Sequence, residues 1–402
     1  MERKKLTRAL VVGFSVFLIT LVLYYLGAFQ ILEWKSWDLR LNLWSHPEKA
    51  GKDIVLIFID QPSLDAYAEE QGISWPWPRQ MYAYMLDFLQ QAGARAVVFD
   101  LIFSEASVWG VEDDLQFAQA MSQAQNAFLP VFMSGREETS VLAVPEAFQR
   151  YAWTKEDLPP QAIYPTESVS LPVDELLENC RGIGNVQFPS DKDGIYRRMP
   201  LVYSLGDRIY PSLPLSIVGF LDESFEIGAV PLDRSGQLIL NYFGPTRIYT
   251  AFSAAAVINS LALLRQGQDP QIRLSAFKDK IVLLGGSAPG LLDLRPTPLS
   301  PVSPGVGIHA TAIDNLLHKE FIRVPSALVV IFIVALLSVL TALGTTLITK
   351  IRHLVLFTLL CVCVPGLLIW VSFKAGFWLT FVAPEFAVLL SFAMATLLNY
   401  QI

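Results

Sequence analysis

The residues best suited by type to do chemistry are acids that close apolar runs. Asp60 ends "DIVLIFID", Asp100 lies in "ARAVVFDLIF", and Glu105 and the pair Asp113 and Asp114 follow a few positions on. Carboxylates in such places can hold a metal, move protons or bind a cation, because ligands of parallel α/β sheets sit beyond the carboxyl ends of the strands. No D-x-D, H-x-H or C-x-x-C spacing accompanies them, which favours loop caps and ion pairs with Arg79 or Arg95 over metal ligation. A second candidate is "GGSAPG" (Gly285 to Gly290), which approaches the G-x-S-x-G elbow with Ser287 as nucleophile and His309 as base. Pro289 stands where that elbow needs glycine, and the run also lacks the lysine of a phosphate-binding loop, so a tight glycine turn after a core strand is the better reading. The third is "WPWPR", Trp75 to Arg79. Its two prolines hold Trp75 and Trp77 extended at little entropic cost. Arg79 then opens a helix, where a cation suits the dipole only if an acid such as Asp60 or Asp100 answers it. The pentapeptide reads as a rigid ligand mouth, with a plug of the sheet end as the competing use.

The elements that must position these groups alternate. Residues 53–60 form a short buried strand, "QMYAYMLDFLQQAG" a helix stopped at Gly93, 94–103 a second strand, "VEDDLQFAQAMSQAQ" a helix, and "NAFLPVFM" a third strand. Such alternation means parallel strands joined by crossover helices. Residues 134–172 read as an irregular insertion. The stretch 182–212 then reads as two antiparallel hairpins, one turning at Asp191 to Gly194 and one near Gly206 and Asp207. "LPLSIVGFLD" reads as a buried helix and "GQLILNYFGP" as a strand. A helix with Ser253 as cap, a further parallel strand at "KDKIVLLGGSA" and a last helix over about 308–318 follow. His318, in that helix's last turn, suits the negative end of its dipole. The fold class expected is α/β: three layers around a mixed, largely parallel sheet with antiparallel hairpins.

The rest of the chain belongs to lipid. Of 402 residues 53% are hydrophobic and 17% charged, too apolar for an ordinary soluble protein. An uncharged run at 9–29 and apolar runs at 326–349, 354–373 and 377–399 are each long enough to cross a bilayer. The first reads as an uncleaved signal anchor, since it is too long for a signal peptide and no A-x-A-like site follows. Arg3, Lys4, Lys5 and Arg8 precede the first span, and Lys350, Arg352 and His353 separate the second and third. Positive charge stays on the cytoplasmic side, which puts residues 1–8 and the C-terminus in the cytoplasm and residues 30–325 outside the plasma membrane. Glu385, several positions into the last span beside Pro384, either stabilises or switches helix packing or lies near enough the boundary to stay wet.

All acids except Glu2 and Glu385 fall within 30–325, whereas Arg3, Lys4, Lys5, Arg8, Lys350, Arg352 and Lys374 fall outside it. The outer block is therefore acidic, which argues against nucleic acid as a partner and for cations or uncharged ligands. Cys180 is its one cysteine, with Cys361 and Cys363 in a span, so it has no disulfide framework.

Read in order, "FDLIFSE", "SDKDGIYRRMPLV", "YPSLPL", "LILNYFGP", "KIVLLGGSAPGLLDLRPTPL" and "GVGIHATAIDNLL", together with WPWPR, make the chain resemble the CHASE type-2 domain family over about residues 35–320. Positions that match the family's motifs include Asp60, Trp77, Arg79, Asp100, Asp293, Gly305, His309 and Asp314. The resemblance implies an extracellular sensory domain of bacterial signalling proteins, flanked by one span before and three after and followed by a cytoplasmic adenylate or guanylate cyclase or a kinase. It names no ligand. The sequence ends at Ile402, just past the last span, so a receptor fragment or a member acting through a partner is expected.

Together these readings describe a membrane-anchored sensor, expected as a homodimer, that binds a small ligand or cation and needs no cofactor. The candidate ligand-binding residues are Asp60, Trp75, Trp77, Arg79, Asp100 and Glu105. Transmission is assigned to Leu316 through Val324 and to Glu385. The alternatives are a metal-dependent ectohydrolase using Asp60, Asp100 and Glu105, and a docking protein with no small-molecule ligand.

Overall fold

The computed structural model describes residues 2–135, 145–154, 158, 160–291 and 293–400. The chain divides into two compact units, one of residues 45–321 and one of residues 1–44 with 322–402. The second begins with helices α1 (Glu2–Tyr25) and α2 (Gln30–Trp44), parted at Gly27.

Residues 45–321 are built on strand β1 (Ile54–Ile59), helices α3 (Gln61–Gln71) and α4 (Arg79–Gln91), β2 (Ala96–Asp100), α5 (Val111–Ala124) and β3 (Ala127–Ser134). Short pieces follow: α6 (Glu146–Gln149), β4 (Ile163–Thr166), β5 (Ser168–Ser170), α7 (Asp174–Asn179), β6 (Gly182–Asn185), β7 (Arg198–Pro200), β8 (Val202–Leu205) and β9 (Arg208–Pro211). Then come α8 (Leu213–Leu221), β10 (Gln237–Ile239), β11 (Thr250–Ser253), α9 (Ala254–Arg265), β12 (Ile281–Gly286), β13 (Leu294–Thr297), β14 (Ser300–Pro304) and α10 (Gly305–His318).

The main sheet has the order β11-β1-β12-β2-β3, with β6 parallel and β5 antiparallel to β3. Its central strands are apolar on both faces because both are covered. Val55, Ile57, Val97, Phe99 and Val282 pack with α4, α5 and α9, while Ile54, Leu56, Val98, Ile281 and Leu283 pack with α8 and α10. Each such side chain, fully buried, contributes about 1.5–3 kcal/mol. The result is the three-layer α/β arrangement that the alternating pattern implied. Register aligns the carboxyl ends of the central strands, since Ile59 pairs with Gly286 and Asp100 with Gly285. Gly285 is not in a turn but in β12, where a Cβ would lie 2.7 Å from Cβ of Val306, so its absence lets α10 pack tightly on the sheet.

Several expectations are corrected. Helix α3, absent from the sequence reading, follows β1 directly, and Asp60 caps it. The expected hairpin at Asp191 to Gly194 does not form: β6 joins the main sheet beside β3, and β7 pairs with β10. The loop is held instead by Arg197, which is fully buried and donates to Asp191 and Asp193 at 3.0 and 2.9 Å. The β8–β9 hairpin at Gly206 does form. Ser253 precedes α9 without capping it; its hydroxyl bonds Asp60 and Ser63. The Pro-rich run 294–304 forms a second hairpin, β13–β14, where only a loop is legible. Part of the expected irregular insertion lies outside the described residues.

The other unit is completed by α11 (Ala327–Leu347), α12 (Ile351–Lys374) and α13 (Val382–Tyr400). The stretches Arg3–Tyr25, Ala327–Leu347, Ile351–Lys374 and Val382–Asn399 are long and apolar enough to cross a membrane. Glu33 fixes the start of α13: its carboxylate accepts from the Phe381 and Val382 amides at 2.8 and 3.0 Å and from Arg40 at 2.7 Å. Glu385 therefore lies in the first turn of α13 rather than deep in it. There the positive end of the helix dipole favours an anion.

Candidate functional site

At the carboxyl ends of the central strands lies a cavity of about 310 Å³. Three elements supply its polar floor. β2 ends in Asp100, the β13–β14 hairpin brings Asp293 and Arg295, and the first turns of α10 bring Gly305 and His309. Its walls are apolar and aromatic, including Phe132, Phe188, Tyr196 and Ile308, and Trp75, 40% exposed, also lines it. A pocket of this size, mostly apolar with a few convergent polar groups, suits a small organic ligand.

Local geometry is set by close contacts. The Gly305 amide donates to the Asp293 carbonyl at 3.0 Å, and a Cβ on Gly305 would lie 2.4 Å from Oδ1 of Asp293, so only glycine leaves room for that carboxylate. Nε of Arg295 stands 3.6 Å from Oδ1 of Asp293, and Nη1 of Arg295 donates to the Tyr196 hydroxyl at 3.4 Å. His309 is 3% exposed and meets Phe188 edge to face at 5.8 Å. Its Nδ1 is buried without a hydrogen-bond partner among the described residues. An orphaned buried polar atom of this kind costs about 1–3 kcal/mol unless something else satisfies it.

The titration of the floor follows from burial. Burial pushes the Asp100 carboxyl up to about 7, against the pull of Arg295. Asp293 is raised to about 6 by burial and by the Asp100 charge, with His309 and Arg295 opposing. Burial drives His309 down to about 4, with Asp293 resisting and Arg295 assisting. At neutral pH the floor thus offers a neutral imidazole, a guanidinium and two carboxyls that share an incomplete negative charge.

Of the six residues proposed from sequence to bind ligand, the structure brings Trp75 and Asp100 into this cavity. The other four lie elsewhere. Asp60 caps α3, its Oδ1 accepting from the Ser63 amide at 3.0 Å and the Ser253 hydroxyl at 3.1 Å. Trp77 is buried in the core, edge-on to Tyr67 at 5.2 Å. Arg79 is answered by neither Asp60 nor Asp100. Its Nε donates to Asp114 at 3.0 Å, its Nη2 to the Glu105 carbonyl at 2.8 Å, and its amide to Asp113 at 2.7 Å, with the guanidinium 4.6 Å from the Phe103 ring centre. Packing of α5 against α4 supplies Asp113 and Asp114, two of the acids that the sequence offered as loop caps and partners of Arg79. The Glu105 side chain is exposed. Leu316 is buried in α10 and Val324 is 45% exposed. Among the described residues no three His, Cys, Asp or Glu side chains are grouped to hold a metal ion.

Sequence reasoning from strand ends missed Asp293, Arg295 and His309 as a group, because the hairpin that folds 293 and 295 back over β2 is Pro-rich and carries no strand signal. The family resemblance did mark Asp293, Gly305 and His309; nothing marked Arg295.

Fold and cavity together define an α/β domain with a ligand-sized cavity at its strand ends, in a chain that also carries four helices able to cross a membrane. The model of the CHASE2 domain family matches residues 15–344, and the chain belongs to that family. CHASE2 is an extracellular sensory domain family and is not catalytic, which together with the apolar helices makes this a membrane protein. No curated protein and no solved structure matches the chain at a significant level.

Proposed function

We propose that the chain is a membrane-anchored sensor whose input site is the cavity floored by Asp100, Asp293, Arg295 and His309. The observation that carries this reading is the place of α10. Its first turns contribute Gly305 and His309 to the cavity, its last turn carries His318, and the chain then runs through residues 319–326 into α11. A ligand that repositions the start of α10 acts on an element joined through residues 319–326 to a helix long enough to cross a membrane, and a two-state shift of that element is what signalling requires. The basic residues at the start of α1 and at the start of α12 support cytoplasmic termini and an extracytoplasmic sensory domain. A homodimer passing the change to a cytoplasmic cyclase or kinase, in the same chain or on a partner, fits this arrangement.

The test is a small-molecule thermal-shift screen on the full chain in detergent, repeated on Asp293→Asn and His309→Phe. Compounds that stabilise the wild type are expected to lose their effect in both variants. Hits that act equally on all three proteins would place the input elsewhere.

One observation supports a second reading, docking of a protein partner. Val108 and Trp109, on the loop beyond β2, and Val111, which opens α5, are exposed apolar residues, Val108 at 79%. Loss of partner capture on Trp109→Ser, with ligand shifts intact, is the result that would favour it.

A further inference from the structure

Resting on that reading of the cavity, we propose that its ligand is a small organic ammonium ion with an apolar or aromatic body. Two carboxylates converge on the floor with little to satisfy them. The Asp100 carboxylate has no hydrogen-bond donor among the described residues, and the Asp293 carboxylate has the Gly305 amide and the 3.6 Å contact with Arg295, while the imidazole beside them, His309, is buried and neutral. An ammonium group carries three donors and no acceptor, so it complements this set. A carboxylate ligand would instead find one guanidinium, already shared with Asp293 and Tyr196, and would face two carboxyls. A neutral hydroxyl would satisfy one or two of the acceptors and leave the charge of the pair unanswered. Above the floor, Trp75 and Phe188 present aromatic surface, which attracts a cation and packs against an apolar body.

The floor also sets a proton balance. The titratable or charged groups that face the bound nitrogen are Asp100 from β2, Asp293 and Arg295 beside and on β13, and His309 from α10, with the Tyr196 phenol beside Arg295. The two carboxyls hold part of a proton at neutral pH because each is raised by burial. An arriving ammonium favours both in the charged form, so binding expels that proton to solvent while the ammonium keeps its own. Amine affinity accordingly falls as pH drops through the range in which these carboxyls protonate.

The experiment uses the full chain in detergent or nanodiscs and three isosteric probes: phenethylamine, 2-phenylethanol and phenylacetate. Thermal shift and titration calorimetry are expected to rank the amine first, at least about tenfold tighter than the alcohol, the margin of one charge-assisted hydrogen bond. Its heat of binding is expected to depend on the buffer, reporting the released proton. Asp100→Asn, isosteric at the strand end, is expected to erase the amine's margin over the alcohol; its own melting temperature shows that it is folded. Equal affinity for amine and alcohol overturns the ammonium assignment, as does an unchanged margin in Asp100→Asn. Binding of phenylacetate with the amine silent also overturns it, leaving the cavity as a ligand site anchored on Arg295. Silence from all three overturns both the assignment and the cavity reading.

Discussion

Replacing Arg79 by Met keeps most of the aliphatic stem but removes the guanidinium, and with it the contact over the Phe103 ring. Asp114, whose side chain is 3% exposed, then loses its 3.0 Å ion pair and keeps only the Ser107 amide at 2.8 Å. The Glu105 carbonyl loses a 2.8 Å donor in the same step. Breaking a buried pair by deleting one partner costs about 3–5 kcal/mol, because the remaining charge stays desolvated. At about 2–4 °C per kcal/mol for a domain of this size, the melting temperature should fall by about 6–20 °C. Asp114→Asn in the Arg79→Met background should restore part of the loss, because the stranded charge is gone. The assay is a double-mutant cycle on Arg79→Met, Asp114→Asn and the pair, followed by differential scanning fluorimetry on the full chain. A drop below about 2 °C for Arg79→Met, or strict additivity in the pair, would refute the reasoning that this ion pair fixes the loop after β2.

Three further outcomes are expected. Gly285→Val should prevent α10 from seating on β12, since Cβ alone would lie 2.7 Å from Val306, and the variant should melt well below wild type by circular dichroism. His318 has its pKa raised: burial lowers it, but the hydrogen bond and charge of Asp314 at 2.7 Å and the charge of Asp53 outweigh that. Its stabilising contribution is therefore complete below about 6.5, the unfolded value, and is lost as pH rises through the higher folded value. Because the imidazole is over a third exposed the contribution is small, and the melting temperature of His318→Gln should converge with that of wild type as pH rises. His309, lowered to about 4, should remain neutral at pH 5 by its imidazole NMR shifts, and protonation preferred by the unfolded chain should cost stability as pH falls from about 6.5 toward 4; a charged imidazole at pH 6 would contradict this.

Much of the framework was legible because its cause is local. "DIVLIFID", "ARAVVFD" and "KIVLLGG" are apolar at consecutive positions because alternate residues face two covered layers, and a run apolar on both faces can be little else in a chain that alternates strands with helices. The four membrane-length helices were legible for the same reason, since length and hydropathy alone select them. What escaped depended on distant partners or weak patterns. Helix α3 has a polar sequence, "QPSLDAYAEEQ", although Asp60 with Pro62 behind it was a readable start signal. The hairpin at 294–304 holds Pro296, Pro301 and Pro304, so nothing in its composition suggests strands, and the site residues it carries became visible only once it folded over β2. Arg79 was rightly read as needing an acid. Which acid was decided by the packing of α5 on α4.

The most direct test of the account is hydrogen–deuterium exchange on the full chain in nanodiscs, with and without a compound that stabilises it. Protection of residues 305–309 at the cavity is expected together with altered exchange in residues 319–326, where α10 leads into α11. Protection confined to the loop at 101–111, with residues 305–326 unchanged, would contradict the claim that the cavity is the input and α10 its route to the membrane.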